Sequence, residues 1–276
     1  MTAHPARGDV LLRATNLVKD FKGNANLFGR SRTGIRAVDN VSVEIEEGET
    51  LAIVGESGSG KSTVARLLAR LMRPTSGTVE FEGQDVTHLE DNALREFRRS
   101  VQVVFQDPFS SLNPRHTVER IVSAPLRYQG IRAPKGYTHV VKELMERVGL
   151  NPDHSLRHPA QFSGGQAQRI GIARALASSP KIVICDEAVS ALDVSVQAQI
   201  IDLLKGIQAE LGLSYVFIAH DLAVVREISH SIAVMSNGVL VEQGTRDDVF
   251  ERPQEEYTRL LLKSVPKIRT DWTTDR

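Results

Sequence analysis

Short apolar stretches separated by turn residues open the chain. Residues 10–18 (VLLRATNLV) and 41–49 (VSVEIEEGE) have β character, and the second alternates apolar and polar positions as a half-exposed strand does. Between them, 23–34 (GNANLFGRSRTG) is rich in Gly, Asn and Arg and is predicted to be a loop. In TLAIVGESGSGKSTVARLLARL (50–71) an apolar strand, a glycine-rich turn and a helix follow one another. SVQVVFQ (100–106) is a further apolar strand. From Asp107 to about Gln161 the texture changes: DPFSSLNPR is turn chemistry, while ERIVSAPLRY and THVVKELMERVGL carry apolar positions at helical spacing. The pattern predicts a mostly helical insert.

Sheet texture then returns. KIVICDE (181–187) and LSYVFIAH (213–220) are short and almost wholly apolar, as strands are when helices cover both faces of a parallel sheet. SVQAQIIDLLKGIQAEL between them predicts a crossover helix. The last segment, RPQEEYTRLLLKSVPKIRTDWTTDR, has no clear periodicity, and no internal repeat is present.

Composition adds bounds. With 276 residues, 41% hydrophobic and 25% charged, the chain can build one or two globular domains and is not a disordered or collagen-like polymer. Lys+Arg and Asp+Glu both total 34, so no global field draws the protein to nucleic acid or an anionic membrane. The single cysteine, Cys185, permits no internal disulfide and favours a reducing compartment. No stretch has signal-peptide character at the N-terminus or the length of a membrane-spanning helix, so a soluble intracellular protein is expected.

The chemistry begins at Gly55-Glu-Ser57-Gly58-Ser59-Gly60-Lys61-Ser62-Thr63, which fits G-x-x-x-x-G-K-[ST] with a strand before it and a helix after. Glycines let consecutive N–H groups curl around phosphate oxygens, Lys61 can reach the β and γ phosphates, and the Ser62 hydroxyl can hold Mg²⁺. The expected ligand is a nucleoside triphosphate. Asp186 and Glu187 end an apolar strand at the edge where open α/β sheets bind ligands. Successive strand residues face opposite sides, so Asp186 is expected to hold Mg²⁺ through water, and Glu187 to accept a proton from the attacking water. His220 also ends an apolar strand and is expected to stabilise γ-phosphate charge. A second phosphate-type element lies in FSGGQAQRIGIARALA, where Ser163 is a good N-cap and Ile170, Ala173 and Leu176–Ala177 share one apolar face.

SGGQ, then IVICDE, then SALD, then a strand-end histidine: from about residue 10 to 250 the chain resembles the nucleotide-binding domain of ATP-binding-cassette (ABC) proteins. The resemblance implies an α/β P-loop NTPase with a mostly parallel core sheet, an antiparallel β subdomain and an inserted helical subdomain. The cassette would span 1–250, with core 1–106 and 176–250 and helical subdomain 107–175, leaving 251–276 as a C-terminal extension. In that family two domains pack head to tail, so Ser163, Gly164, Gly165 and Gln166 would complete the ATP site of a partner subunit. Gln106 matches the Q-loop glutamine that reaches toward Mg²⁺ and senses γ-phosphate, and DPFSSLNPR behind it lies where such domains meet membrane partners. Asp193 closes the D-loop, Ser190-Ala191-Leu192-Asp193. Phe21 is the first choice, and Phe28 the second, for the aromatic ring that stacks on adenine. Phe162 stands where leucine is commoner and Ala188 where proline is usual; neither removes a catalytic group, so hydrolysis is expected.

Within the family, VFQDPFSSLNPR, the phenylalanine form of the signature, SALDVSVQAQI, the loop at 23–34 and PQEEYTRLLLKSVP resemble ATPase subunits of bacterial dipeptide and oligopeptide importers, a group that includes nickel and glutathione systems. Exporter and soluble ABC ATPases are the alternatives. The likeness implies MgATP as cofactor, a second ATPase subunit, two transmembrane permease subunits and an extracytoplasmic binding protein. It also implies a peripheral place on the cytoplasmic face of the membrane, with no iron–sulfur cluster, since Cys185 stands alone.

Overall fold

A computed structural model of the chain describes residues 9–21 and 34–263. Along it come β1 (Val10–Phe21), β2 (Ile35–Glu46), β3 (Thr50–Val54), α1 (Lys61–Leu68), β4 (Ser76–Phe81), β5 (Gln84–Asp85), α2 (Asp91–Ser100) and β6 (Val101–Val104). A helical stretch follows: α3 (Pro108–Ser111), α4 (Val118–Gln129), α5 (Tyr137–Arg147), 3₁₀ turns at Pro152–Leu156 and Pro159–Gln161, and α6 (Gly164–Leu176). The chain then alternates through β7 (Ile182–Asp186), α7 (Val194–Leu211), β8 (Ser214–Ile218), α8 (Leu222–Ile228), β9 (Ser231–Ser236) and β10 (Val239–Thr245). It ends in α9 (Arg246–Glu251) and α10 (Glu256–Lys263).

The main sheet runs β10-β9-β3-β8-β7-β6, parallel throughout except for the β9–β10 pair. Its central strands β3, β7, β8 and β9 are buried on both sides because alternate residues feed two different cores. Ala52, Val54, Val183, Cys185, Tyr215 and Phe217 face the helical side, with Ile170, Ile200 and Leu204 packed there. Leu51, Ile53, Ile182, Ile184, Val216 and Ile218 face α1 and the antiparallel sheet β2-β1-β4-β5. The expected α/β architecture is therefore observed, with the antiparallel sheet covering one face and the helical stretch lying against the other.

Several details depart from expectation. The second strand starts at Ile35, well before Val41, and stops at Glu46 because Gly48, at φ 74°, turns the chain. The strand expected at 100–106 is only Val101–Val104, since Ser100 still belongs to α2. That helix has one buried residue, Phe97, whose ring meets Phe81 edge-on at 5.5 Å, too few apolar positions to mark it beforehand. The loop expected at 23–34 falls, up to residue 33, outside the described residues.

Two connections matter for the site. Asn237 and Gly238, both at positive φ, form the two-residue turn of the β9–β10 hairpin. The turn is pinned on both sides: Gly238 N–H donates to the Ser59 carbonyl (3.0 Å), and Asp39 N–H donates to the Gly238 carbonyl (2.8 Å). The last helix, α10, is held to β10 by the Glu242 carboxylate, which accepts the N–H groups of Gln254 (2.7 Å) and Glu255 (3.1 Å).

Candidate nucleotide site

The glycine-rich loop joins the carboxyl end of β3 to the start of α1. No side chain caps that helix, and the first-turn N–H groups have no intrahelical acceptors, which makes the end an anion site. Backbone crowding dictates the glycines. A Cβ on Gly55 would lie 2.1 Å from the Met235 carbonyl oxygen, and one on Gly60 would lie 2.4 Å from that of Ala37. Lys61 is buried and donates through Nζ to the carbonyls of Gly55 (2.8 Å) and Glu56 (2.7 Å). Burial pushes its pKa down, opposed by the carboxylates of Glu187, Asp186 and Glu56. Ser59 Oγ is buried without a hydrogen-bond partner among the described residues. An orphaned buried hydroxyl beside a helix start whose first-turn N–H groups lack intrahelical acceptors is what a polyphosphate would satisfy, so the loop fits that ligand.

Ser62 Oγ donates to Asp186 Oδ1 at 2.7 Å, joining the start of α1 to the end of β7. Two hard oxygen donors beside the phosphate loop suit Mg²⁺. Glu187, the next residue, has φ 50°, a conformation costing a non-glycine residue about 1–3 kcal/mol. Its peptide is over-determined: the N–H donates to the Ile218 carbonyl (3.1 Å), and its own carbonyl accepts both the N–H (3.1 Å) and the Oγ–H (3.0 Å) of Ser190. The left-handed turn separates the two acids and sends the Glu187 carboxylate to Gln106, whose Nε2 donates to Oε2 at 2.8 Å. His220 Nδ1 lies 3.9 Å from the same oxygen. β7 and β8 are adjacent in the sheet, which brings His220 beside the acids.

The other predicted residues sit apart. Ser163 and Gln166 cap α6 reciprocally: Gln166 N–H donates to Ser163 Oγ (3.3 Å), and Ser163 N–H donates to Gln166 Oε1 (3.0 Å). Gly164 and Gly165 lie against the start of α7, where a Cβ on Gly165 would come 2.5 Å from Val196 Cγ1. Asp193 is exposed at the N-cap of α7. Among the described residues, no hydrogen bond or ion pair joins 163–166 or Asp193 to the glycine-rich loop. Phe21 ends β1, 40% exposed, with Lys19 Nζ 5.6 Å from its ring centre. It pairs with Ile35, two residues before Ala37, whose carbonyl faces Gly60. Phe28 lies outside the described residues.

A phosphate loop, an Mg²⁺-type acid, a second acid touched by glutamine and histidine, and a displaced SGGQ helix thus occur together. The sequence profile described as ABC transporter matches residues 38–190, more than half of the chain. The chain belongs to the ABC transporter family. A second profile, described as the C-terminal region of oligopeptide/dipeptide transporters, matches 241–276. Among similar proteins is the glutathione import ATP-binding protein GsiA of Salmonella typhimurium (strain LT2), 50% identical over 259 residues. That alignment covers 94% of this chain and 42% of the relative. The Pectobacterium atrosepticum protein of the same description is 49% identical over 262 residues, covering 95% and 42%. The chain therefore spans well under half the length of these relatives. Among solved structures, the ATP-binding cassette MJ0796, a dimer in a post-hydrolysis state with ADP and Pi, superposes with TM-score 0.75 and 31% identity, covering 86% of this chain and 99% of that one. The cassette cbiO1 from Clostridium perfringens gives TM-score 0.74 and 27% identity, covering 89% and 92%.

Two features of this ABC cassette escape sequence reasoning. Ser190, the first residue of the D-loop, bonds the Glu187 carbonyl and also lies 3.4 Å from Gln106 Nε2. Tyr257 of α10 accepts the Glu56 N–H through its hydroxyl at 3.2 Å, across 201 positions of sequence. The three-residue spacing of a turn could have flagged Ser190, whose N–H returns to the Glu187 carbonyl. No local signal points to Tyr257.

Proposed function

We propose that this cassette binds MgATP and hydrolyses it as one of two nucleotide-binding subunits of a peptide-type importer. Gly55, Ser57, Gly58, Ser59, Gly60, Lys61, Ser62 and Thr63 would cradle the phosphates, and Phe21 would stack on adenine. Ser62 and Asp186, with Gln106, would hold Mg²⁺, which when bound neutralises charge on the phosphate oxygens. Glu187 would take the proton of the attacking water as oxygen bonds the γ-phosphorus and the bond to the β-phosphate oxygen breaks. His220 would then stabilise the charge on the departing γ-phosphate.

The observation that carries this reading is the convergence of Gln106 and His220 on Glu187, next to the Ser62–Asp186 pair, while SGGQ is left unused. A helix end that, among the described residues, makes no hydrogen bond to the chain's own glycine-rich loop supports a role for Ser163, Gly164, Gly165, Gln166 and Asp193 in a partner's site. The dimeric MJ0796 cassette with ADP and Pi supports the same arrangement. No described helix is long and apolar enough to cross a membrane, so energy would reach the cargo through two permease subunits from the cytoplasmic face. The oligopeptide/dipeptide profile and the glutathione-import relatives support a peptide cargo.

Glu187→Gln should lower ATP turnover about 10²–10⁴-fold while nucleotide binding persists; unchanged turnover would remove Glu187 from the chemistry. For the cargo, the chain should co-purify with polytopic subunits and energise uptake of glutathione or other short peptides. Nickel uptake alone, or a complex without membrane subunits, would refute the peptide reading.

A further inference from the structure

We infer that Tyr257, in the C-terminal segment whose role the proposed function leaves open, is a positioning residue for the phosphate loop. It acts through a single peptide unit, that between Gly55 and Glu56. The unit's N–H donates to the Tyr257 hydroxyl at 3.2 Å, and its C=O, on Gly55, accepts from Lys61 Nζ at 2.8 Å. A trans peptide is planar, so its N–H and C=O point in opposite directions and fixing one fixes the other. Tyr257 therefore sets the direction in which the Gly55 carbonyl meets Lys61. Gly55 needs this restraint more than other positions: it lacks a Cβ, and φ 147° is a backbone region that only glycine enters freely.

The hydroxyl is itself anchored. Tyr257, Leu261 and Leu262 pack against the helical-side core, and Thr258 beside Tyr257 is buried. Glu242 grips the N–H groups of Gln254 and Glu255 just before α10. Burial pushes its carboxyl up, but these N–H groups, with Thr258 and the Arg259 charge, hold it below the ordinary carboxylate range. The clamp thus runs from β10 through the start of α10 to the phosphate loop. A segment remote in sequence becomes part of the nucleotide site.

Without the hydroxyl, only the Lys61 bond holds the Gly55–Glu56 peptide, and a flip would turn the Gly55 carbonyl away from Lys61. The cost should appear in nucleotide affinity and not in the chemical step. This rests on the loop being a nucleotide site, so binding by the unaltered full chain is measured first with a fluorescent ATP analogue. Tyr257→Phe keeps the ring and its packing. It should raise the Kd for the analogue and the KM for MgATP about 3- to 10-fold, the worth of one hydrogen bond, with kcat within about twofold. Its thermal midpoint should move by less than about 3 °C. In a Lys61→Met background the same change should leave the analogue's Kd unmoved. Tight binding by both the unaltered chain and Tyr257→Phe would overturn the inference alone. So would parallel losses of kcat and thermal midpoint, or an undiminished effect without Lys61. An unaltered chain that binds no nucleotide would overturn the phosphate-loop reading as well.

Discussion

Lys61→Met tests the heart of the site, because the substitution keeps an unbranched stem and deletes only the charge. The Lys61 ammonium has three hydrogens; two are engaged on the carbonyls of Gly55 and Glu56, leaving one for a phosphate oxygen. For unit charges about 4 Å apart at an effective dielectric of about 20, the attraction is about 4 kcal/mol, or nearly 10³-fold in affinity. Two effects modify this. Burial already disfavours the charged ammonium, which reduces the gain. Its loss also leaves Asp186, Glu187 and Glu56 unopposed beside a polyanion, which deepens the deficit. The net expectation is a Kd for MgATP about 10²–10³-fold higher. Folding should be nearly unaffected, since losing two hydrogen bonds at about 1 kcal/mol each is offset by relief of the buried charge. Titration with a fluorescent ATP analogue, beside a circular-dichroism melt, reads both quantities. A folded variant binding within threefold of the parent would refute the electrostatic account of the loop.

Other outcomes follow from the same geometry. Glu187→Gln and Tyr257→Phe should separate turnover from binding in opposite senses, as set out above. In mixed dimers, Ser163→Ala in one subunit should disable the nucleotide bound at the other subunit's phosphate loop; damage confined to its own loop would contradict a shared site. Cys185 is fully buried, and burial, with Asp186 adding, pushes its thiol up to about 12. It should not react with a thiol reagent at pH 8 until the chain unfolds. Above about pH 9 the unfolded chain loses a proton that the folded chain keeps, so stability falls as pH rises. Near pH 11 this amounts to a few kcal/mol, a decline that Cys185→Ala should lack in pH-dependent denaturation.

Much of the site is legible in the sequence because its chemistry is carried by contiguous segments with local backbone demands. GESGSGKST must bend where it does because Gly55 and Gly60 alone tolerate the approach of the Met235 and Ala37 carbonyls. IVICDE places its acids at a strand end because an apolar run has to finish at the sheet's edge, and FSGGQ reads as a capped helix start. Those signals fix residue types and register without reference to the rest of the chain. The short α2 and the late-starting tail helix are not read from the sequence, because each fully buries a single side chain, Phe97 and Thr258.

Tertiary structure decided everything that depends on strand order. Gln106, Glu187 and His220 come from three loops and meet only because β6, β7 and β8 lie side by side. Glu187 takes a left-handed backbone because Ser190 and Ile218 hold its peptide from two directions, which no local propensity for glutamate would predict. Tyr257 reaches the phosphate loop because β9 and β10 return beside β3 and carry α10 with them. A sequence records what each segment can do; distances between segments are set by burial of the two cores, a cooperative quantity that no window of the chain contains.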